Sequence, residues 1–425
     1  MKFGDLKEDV NEAEADEMEM HNGELYWPKT ESEQVVLERP KKKERYDVLV
    51  IGAGMSGTLT AYTLYQDGVD FAVLDKGKVG AGSTAANTGL IQYSNDIMLH
   101  ELAAQIGEAD AVRFYKLCAE AVDSLDEVAK TVGAKDVYIR RDSLCFASCD
   151  EDVTKLRREY EMLTKHGFAA EWLERDELKT RFPFDKPAAL VTKGDAEVNP
   201  LTLSRQVVRH LSQANVPIFE ETDVTDVVSD GDGWLVVTPG ATFKANHVIF
   251  ATGYGASPLL DSHRIELNRS YAIATNPVDD FRAWDGRALI WETKRPYLYV
   301  RTTVDGRIIA GGLDEEKPET PHSEALIQHR AEQIRQAVEA LFPMYDLTVE
   351  YAWVALFGES IDQLPFIGEH PDRPNLYYLL GYGGNGTVYS MLGSKMLSDA
   401  VRGVENEDAR IVRLDRTRQS DLTFP

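Results

Sequence analysis

The chain has 425 residues, 43% of them apolar, so it can bury one large or two ordinary cores, and its length favours two domains. Lysine and arginine number 46 against 71 aspartates and glutamates, a formal net charge of −25. A chain so acidic repels phosphate backbones and anionic lipid headgroups, which disfavours nucleic acids and membrane surfaces as partners and leaves small molecules.

Residues 1–45 are highly charged and lack a sustained period, and are expected to form a solvated lead-in. The exception is the aromatic island Tyr26, Trp27 and Pro28, expected to dock on the main body. Acids stand where a secretory leader would be basic and then apolar, and no run of about 18 apolar residues occurs, so a cytoplasmic protein without a membrane span is expected. Cys118, Cys145 and Cys149 form no Cys-x-x-Cys pair; they are read as reduced structural thiols, and no metal is indicated.

Residues 47–51 (DVLVI) form a short apolar run, as in a parallel strand buried on both faces. A helical pattern over 56–66 ends at Gly68, and DFAVLD is a second buried strand, completing a right-handed βαβ unit. Between strand and helix stand Gly52, Gly54 and Gly57, spaced G-x-G-x-x-G. The first permits a tight turn, the second lets a pyrophosphate reach the backbone, and the third lets helix and strand pack closely. The helix start, with Ser56, offers free N–H groups and the positive end of the helix dipole. Asp75, followed by Lys76, ends the second strand where a carboxylate takes ribose hydroxyls. The unit specifies a dinucleotide and leaves NAD and FAD open.

Beyond it, GAGSTAANTGLIQ (80–92) gathers small and hydroxyl-bearing residues that suit an extended cofactor. Apolar residues at helical spacing follow: Leu117, Val122, Leu125 and Val128, then Val153, Leu156, Tyr160 and Leu163, and a third stripe near residue 335. All three are expected to be core faces. Residues 218–250 read as a β-meander, and RPYLYVRTTVDGRIIAGG as a hairpin turning at Asp305 and Gly306. On its first strand Tyr297, Tyr299 and Arg301 share one face. Near the C-terminus FGESIDQLPFIG precedes GYGGNGTVYSMLGSKML, a second glycine loop opening a helix. A second anion-friendly helix start suits an isoalloxazine, which gathers negative charge on reduction, and so favours FAD over NAD.

Four ordered motifs, the glycine fingerprint, GSTAANTGL, VIFATGYGA and DQLPFIG…GYGGNG, resemble the FAD-dependent oxidoreductases of the D-amino-acid oxidase superfamily over 46 to about 402. The resemblance implies an α/β fold: a Rossmann-like FAD-binding domain (46–98, 188–258 and 353–402) interleaved with an antiparallel-sheet plus helix substrate domain (99–187 and 259–352), then a tail (403–425). It implies that Gly52, Gly54, Ser56 and Gly57 bind pyrophosphate, Asp75 and Lys76 the ribose side, and Ser83 and Thr84 the phosphate side. Asn87, Thr88, Gly89 and Leu90 would lie along the flavin, Val224 would meet the adenine from the first strand of the meander, and Ala251, Thr252 and Gly253 would complete the cradle. Gly383, Gly384, Asn385, Gly386 and Thr387 would close over the pyrimidine edge.

The family's ribose carboxylate is usually glutamate, and Asp75 is shorter by one carbon. The flavin loops contain neither cysteine nor histidine, which implies non-covalent FAD. In such enzymes the flavin accepts a hydride at N5 from a carbon bonded to an amine nitrogen, the imine hydrolyses, and oxygen or an electron carrier reoxidises the cofactor. Glycine oxidase-like relatives meet the substrate carboxylate with two arginines, where this chain has Phe357 and Gly384. A small amine or N-substituted amino acid is therefore expected as substrate, packed on Tyr299, Tyr382 and Phe357, with Arg301 as the contact for any carboxylate. Two other readings stay open: a flavin dehydrogenase of a hydroxy acid or alcohol, and a non-catalytic dinucleotide-binding subunit.

Overall fold

The computed structural model of the protein describes residues 19–30, 37, 40–255, 265–380 and 383–416. Tyr46–Ile51, Phe71–Leu74, Ala241–Phe250 and Arg373–Leu380 form the parallel centre of an eight-stranded sheet. Period-two alternation sends Val48 and Val50 into the cluster that holds Leu59 and Val388, while Leu49 and Ile51 enter a second cluster with Phe250 and Tyr378 on the opposite face. A strand covered on both faces must be apolar throughout, which is why this one reads as a continuous greasy run. The helix Met55–Gln66 follows the glycine turn, and its Thr63 hydroxyl meets Ser394 of the helix Gly386–Val401 at 2.9 Å.

The second sheet has ten strands and is largely antiparallel. From one edge its order runs His21–Gly23, Val349–Ser360, Ile265–Thr275, Ile308–Glu315, Tyr299–Thr302, Leu289–Glu292, Tyr138–Phe146, Ala188–Val198, Leu90–Ile91, and Ala170–Glu174 also pairs with Ala188–Val198. The helix Glu324–Leu341 covers it with Ile327, Ile334 and Val338, which pack in one cluster with Ala352 and Val354. The helical pattern before residue 132 is two helices, Leu99–Ile106 and Glu108–Thr131, broken where Gly107 takes φ 90°. Among the described residues no helix is long and apolar enough to cross a membrane, and no group of three or more His, Cys, Asp or Glu is placed to hold a metal.

Sheet membership corrects two of the expected boundaries. Ala188–Val198, expected to return the chain to the cofactor domain, lies inside the ten-stranded sheet beside Tyr138–Phe146, and the chain returns only after the helix Pro200–Gln213. Residues 353–360 likewise belong to the long strand Val349–Ser360 of that sheet. Both sheets bury strands, so an apolar run such as AALV does not reveal which sheet it joins. Val224 is not on a strand: it falls between Ile218–Phe219 and Asp226–Asp230, half-buried against the cluster of Phe219 and Phe243. The run is broken where Glu221 turns left-handed (φ 51°) and the Thr222 N–H bonds back to Asp75.

Candidate active site

Each fingerprint glycine has its own steric reason. Gly52 has φ 107°, and a Cβ there would lie 2.4 Å from the Ala251 carbonyl oxygen; one on Gly57 would lie 1.8 Å from that of Gly52. At Gly54 the space is open except for the Thr84 hydroxyl at 3.2 Å, which leaves a cradle on the backbone for a phosphate. The Thr84 hydroxyl accepts the Met55 N–H at 2.9 Å and keeps its own proton to donate. Asp75 accepts from Ala53 N–H at 2.5 Å and Gly77 N–H at 2.7 Å, and burial pushes its carboxyl upward. These bonds brace the turn, and Lys76 follows directly. The Ser56 side chain is turned away, to Ser390 at 3.0 Å, so only its backbone faces the helix start.

A cavity of about 160 Å³ opens beyond the fingerprint. Its wall includes Ser83, Asn87, Thr88, Leu90, Phe357, Gly383, Gly384, Asn385 and Gly386, all singled out in the sequence, together with Tyr297 and Tyr299. Two buried hydroxyls foreseen as cofactor contacts, on Thr252 and Thr387, have no hydrogen-bond partner among the described residues. Orphaned donors flanking an open glycine cradle fit a polar extended cofactor. Ala251 is buried at the end of the parallel strand, and Gly253 begins a short turn with φ 62°. Gly311 makes room for Tyr299, whose hydroxyl would lie 2.1 Å from a Cβ there.

The loop over this cavity is fixed from behind. Trp353 Nε1 donates to the Ala86 carbonyl at 2.9 Å, Trp27 Nε1 to that of Asn87 at 2.6 Å, and Arg301 Nε to that of Thr88 at 2.7 Å. Gly89 has φ 75°, and a Cβ on it would meet the Val198 carbonyl oxygen at 2.2 Å and Arg301 Nη2 at 2.6 Å. Arg301 therefore does not have the role expected of it. The strand begins only at Tyr299, so Tyr297 precedes it and does not share its face as expected; Arg301 lies on that strand with Tyr299, yet the loop 87–89 lies over it and it is 2% exposed. Its other nitrogens donate to Val198 O and Thr302 O, and Glu197 stands 3.9 Å away. Desolvation lowers its pKa to about 10, three of its five N–H donors are committed to backbone carbonyls, and it is not among the residues lining the cavity, so it is not placed to meet a substrate carboxylate. Tyr382 lies outside the described residues.

Sequence reasoning missed the acidic side of the cavity. Asp96 and Asp314 line it, with Ser94, Asn95, Ser270, Tyr254, Trp291 and Trp353. Asp96 Oδ2 accepts the Gly384 N–H at 3.0 Å and would be 2.5 Å from a Cβ at that position, so it fills the space a larger side chain at residue 384 would take. Asp314 Oδ1 is buried with no hydrogen-bond partner among the described residues, and burial raises that carboxyl to about 6. Burial, with Asp96 as a like charge, raises Glu359 to about 7, where it accepts from Asn268 at 2.8 Å. Arg295, not itself among the lining residues, pairs with Asp96 at 3.6 Å, its guanidinium 4.4 Å over the Tyr297 ring. Asp314 had one signal in the sequence, an acid closing the otherwise apolar strand IIAGGLD; Asn95 and Asp96, in an aperiodic loop, had none.

Comparison with known proteins identifies the family and the fold. The family described as FAD dependent oxidoreductase (DAO) matches residues 47–400. Glycine oxidase of Bacillus licheniformis is 25% identical over 374 residues, 85% of this chain and 94% of that protein. Mitochondrial dimethylglycine dehydrogenase of Rattus norvegicus is 24% identical over 387 residues, 85% of this chain and 43% of that longer protein. The crystal structure of glycine oxidase from Geobacillus kaustophilus superimposes with a TM-score of 0.75 at 22% identity, covering 88% of this chain and all of that one. The chain belongs to the DAO family of FAD-dependent oxidoreductases.

Proposed function

We propose that the protein oxidises the C–N bond of a small amine or N-substituted amino acid, held in the cavity by its positive charge and not by a carboxylate. The observation that carries this reading is the composition of the wall: Asp96 and Asp314 are on it, and among the described residues no lysine or arginine lines it. No guanidinium fork meets a carboxylate on the described wall, so in an N-substituted amino acid, as in an amine, the nitrogen is the group the wall holds, and glycine, with no further carbon surface to pack, gains least. An ammonium is attracted, and the buried, unpartnered Asp314 Oδ1 is the natural acceptor for its N–H. Tyr297, Tyr299, Trp291 and Phe357 supply apolar surface for the carbon chain and exclude water from the reacting carbon.

The residues that would hold FAD are the Gly52–Gly57 turn and Thr84 at the pyrophosphate, Asp75 at the ribose, the 86–90 loop along the flavin, and the 383–387 turn beyond it. Bound FAD supplies the two-electron acceptor for the hydride leaving the carbon next to nitrogen. The imine product hydrolyses in water, and oxygen or an electron carrier then takes the electrons from the reduced enzyme. No cysteine or histidine is on the described wall, which supports non-covalent attachment.

An anaerobic screen tests the reading: amines, N-substituted amino acids, free amino acids and hydroxy acids are each mixed with the oxidised holoenzyme, and loss of the flavin's visible absorption is timed. Secondary or primary amines and N-substituted amino acids are expected to bleach it faster than glycine. Glycine or a hydroxy acid as the fastest reductant defeats the proposal.

A further inference from the structure

The N-terminal strap has a place in the cofactor site that its position in the sequence does not suggest. Its strand His21–Gly23 pairs with Trp353–Ala355 at the edge of the ten-stranded sheet, and Tyr26 and Trp27 follow it into the interior at 3% and 2% exposure. Tyr26 is anchored away from the cavity, on Asp305 at 2.7 Å. Trp27 instead packs with the Arg301 guanidinium 5.0 Å over its ring and donates its indole N–H to the Asn87 carbonyl.

A trans peptide holds its C=O and the following N–H on opposite sides, so a donor that fixes a carbonyl also aims the next N–H. In the loop, the Asn87 N–H is taken by Thr84 O at 3.4 Å and the Gly89 N–H by Asn87 Oδ1 at 2.7 Å. The Thr88 N–H lies between them, and no acceptor meets it among the described residues. It belongs to the peptide whose carbonyl Trp27 holds, and both residues of that peptide line the cavity. We propose that Trp27 is a positioning residue of the cofactor site: by binding the Asn87 carbonyl from behind, it presents the Thr88 N–H to the bound FAD. This rests on the cofactor assignment and is independent of which substrate is oxidised.

The test compares Trp27→Phe, which keeps an aromatic ring and loses the donor, with Tyr26→Phe, which loses a strap bond remote from the loop. FAD affinity of the apoprotein is titrated by fluorescence, the visible flavin bands of each holoprotein are recorded, and thermal unfolding of each apoprotein is followed. Trp27→Phe is expected to raise the FAD Kd by at least about tenfold and to move the visible bands, as loss of a buried donor's partner does. Tyr26→Phe is expected to leave both near wild type while lowering apoprotein Tm at least as much. If Trp27→Phe fails to fold, replacement of Trp27 by the isosteric benzothienylalanine removes only the N–H and gives the same readouts. An unchanged Kd and spectrum, or an equal rise in Kd for Tyr26→Phe, overturns the proposal.

Discussion

Asp314 and Arg301 lie on neighbouring strands and both carry charge, but only Asp314 lines the cavity. Arg301 is spent on the backbone, whereas Asp314 has an oxygen with nothing to hold. Replacing Asp314 with asparagine keeps the shape and removes the charge. The expected result is an increase of at least about tenfold in KM for an amine substrate, about 1.4 kcal/mol of binding, with a smaller change in kcat. The pH dependence has a definite sign. Burial holds the Asp314 carboxyl up at about 6, so its charged form is present above that pH and lost below it. In the wild type kcat/KM for the amine should therefore rise as pH increases through this range, and in Asp314→Asn that step should flatten; an unchanged profile removes Asp314 from the site. The alternation that puts Tyr299 and Arg301 on one strand face was legible because it is local, whereas Tyr297 falls before the strand Tyr299–Thr302. The sequence could not show that the 87–89 loop closes over Arg301, because that contact joins residues more than 200 positions apart.

Among the elements, the glycine turn is where sequence and structure agree most fully, since each glycine answers to a backbone distance within one βαβ unit. Gly57 is the sharpest case, because its missing side chain is what lets the helix Met55–Gln66 start against Gly52. Gly57→Ala would place a methyl 1.8 Å from the Gly52 carbonyl oxygen, which is backbone and cannot swing aside. The helix start must shift, and with it the N–H groups aimed at the pyrophosphate. Purified Gly57→Ala protein is expected to be colourless or to lose FAD on gel filtration; full retention of yellow flavin would show that the turn tolerates the displacement. The amphipathic helices were equally legible, since their apolar stripes lie on the buried faces. The strand Ala188–Val198 was not: its apolar half fits either sheet, and only its pairing with Tyr138–Phe146 decides. The strap strand His21–Gly23 was also invisible, being three polar or small residues held by the edge they join.

At the scale of the whole molecule, the chain alternates between its two sheets. It builds Tyr46–Ile51 and Phe71–Leu74 in the eight-stranded sheet and crosses to the larger one for Leu90–Ile91 through Ala188–Val198. It returns for Ile218–Phe219 through Ala241–Phe250, crosses again for Ile265–Thr275 through Val349–Ser360, and ends with Phe366–His370 and Arg373–Leu380. Neither sheet is a contiguous piece of sequence, so neither can open without pulling on segments of the other. The cofactor cradle draws on both, with Thr84 and Gly54 beside the smaller sheet and Tyr299 and Trp353 on the larger. Denaturant unfolding should accordingly be one cooperative transition, with strands 46–51 and 349–360 losing hydrogen-exchange protection at the same denaturant concentration. Because FAD binds only the assembled cradle, free FAD at about 100 times its Kd should add about 2.7 kcal/mol to that single transition. Two separated transitions, or stabilisation by FAD of the strands 46–51 but not of 349–360, would mean that the sheets fold as independent units and that the cradle is built on one of them alone.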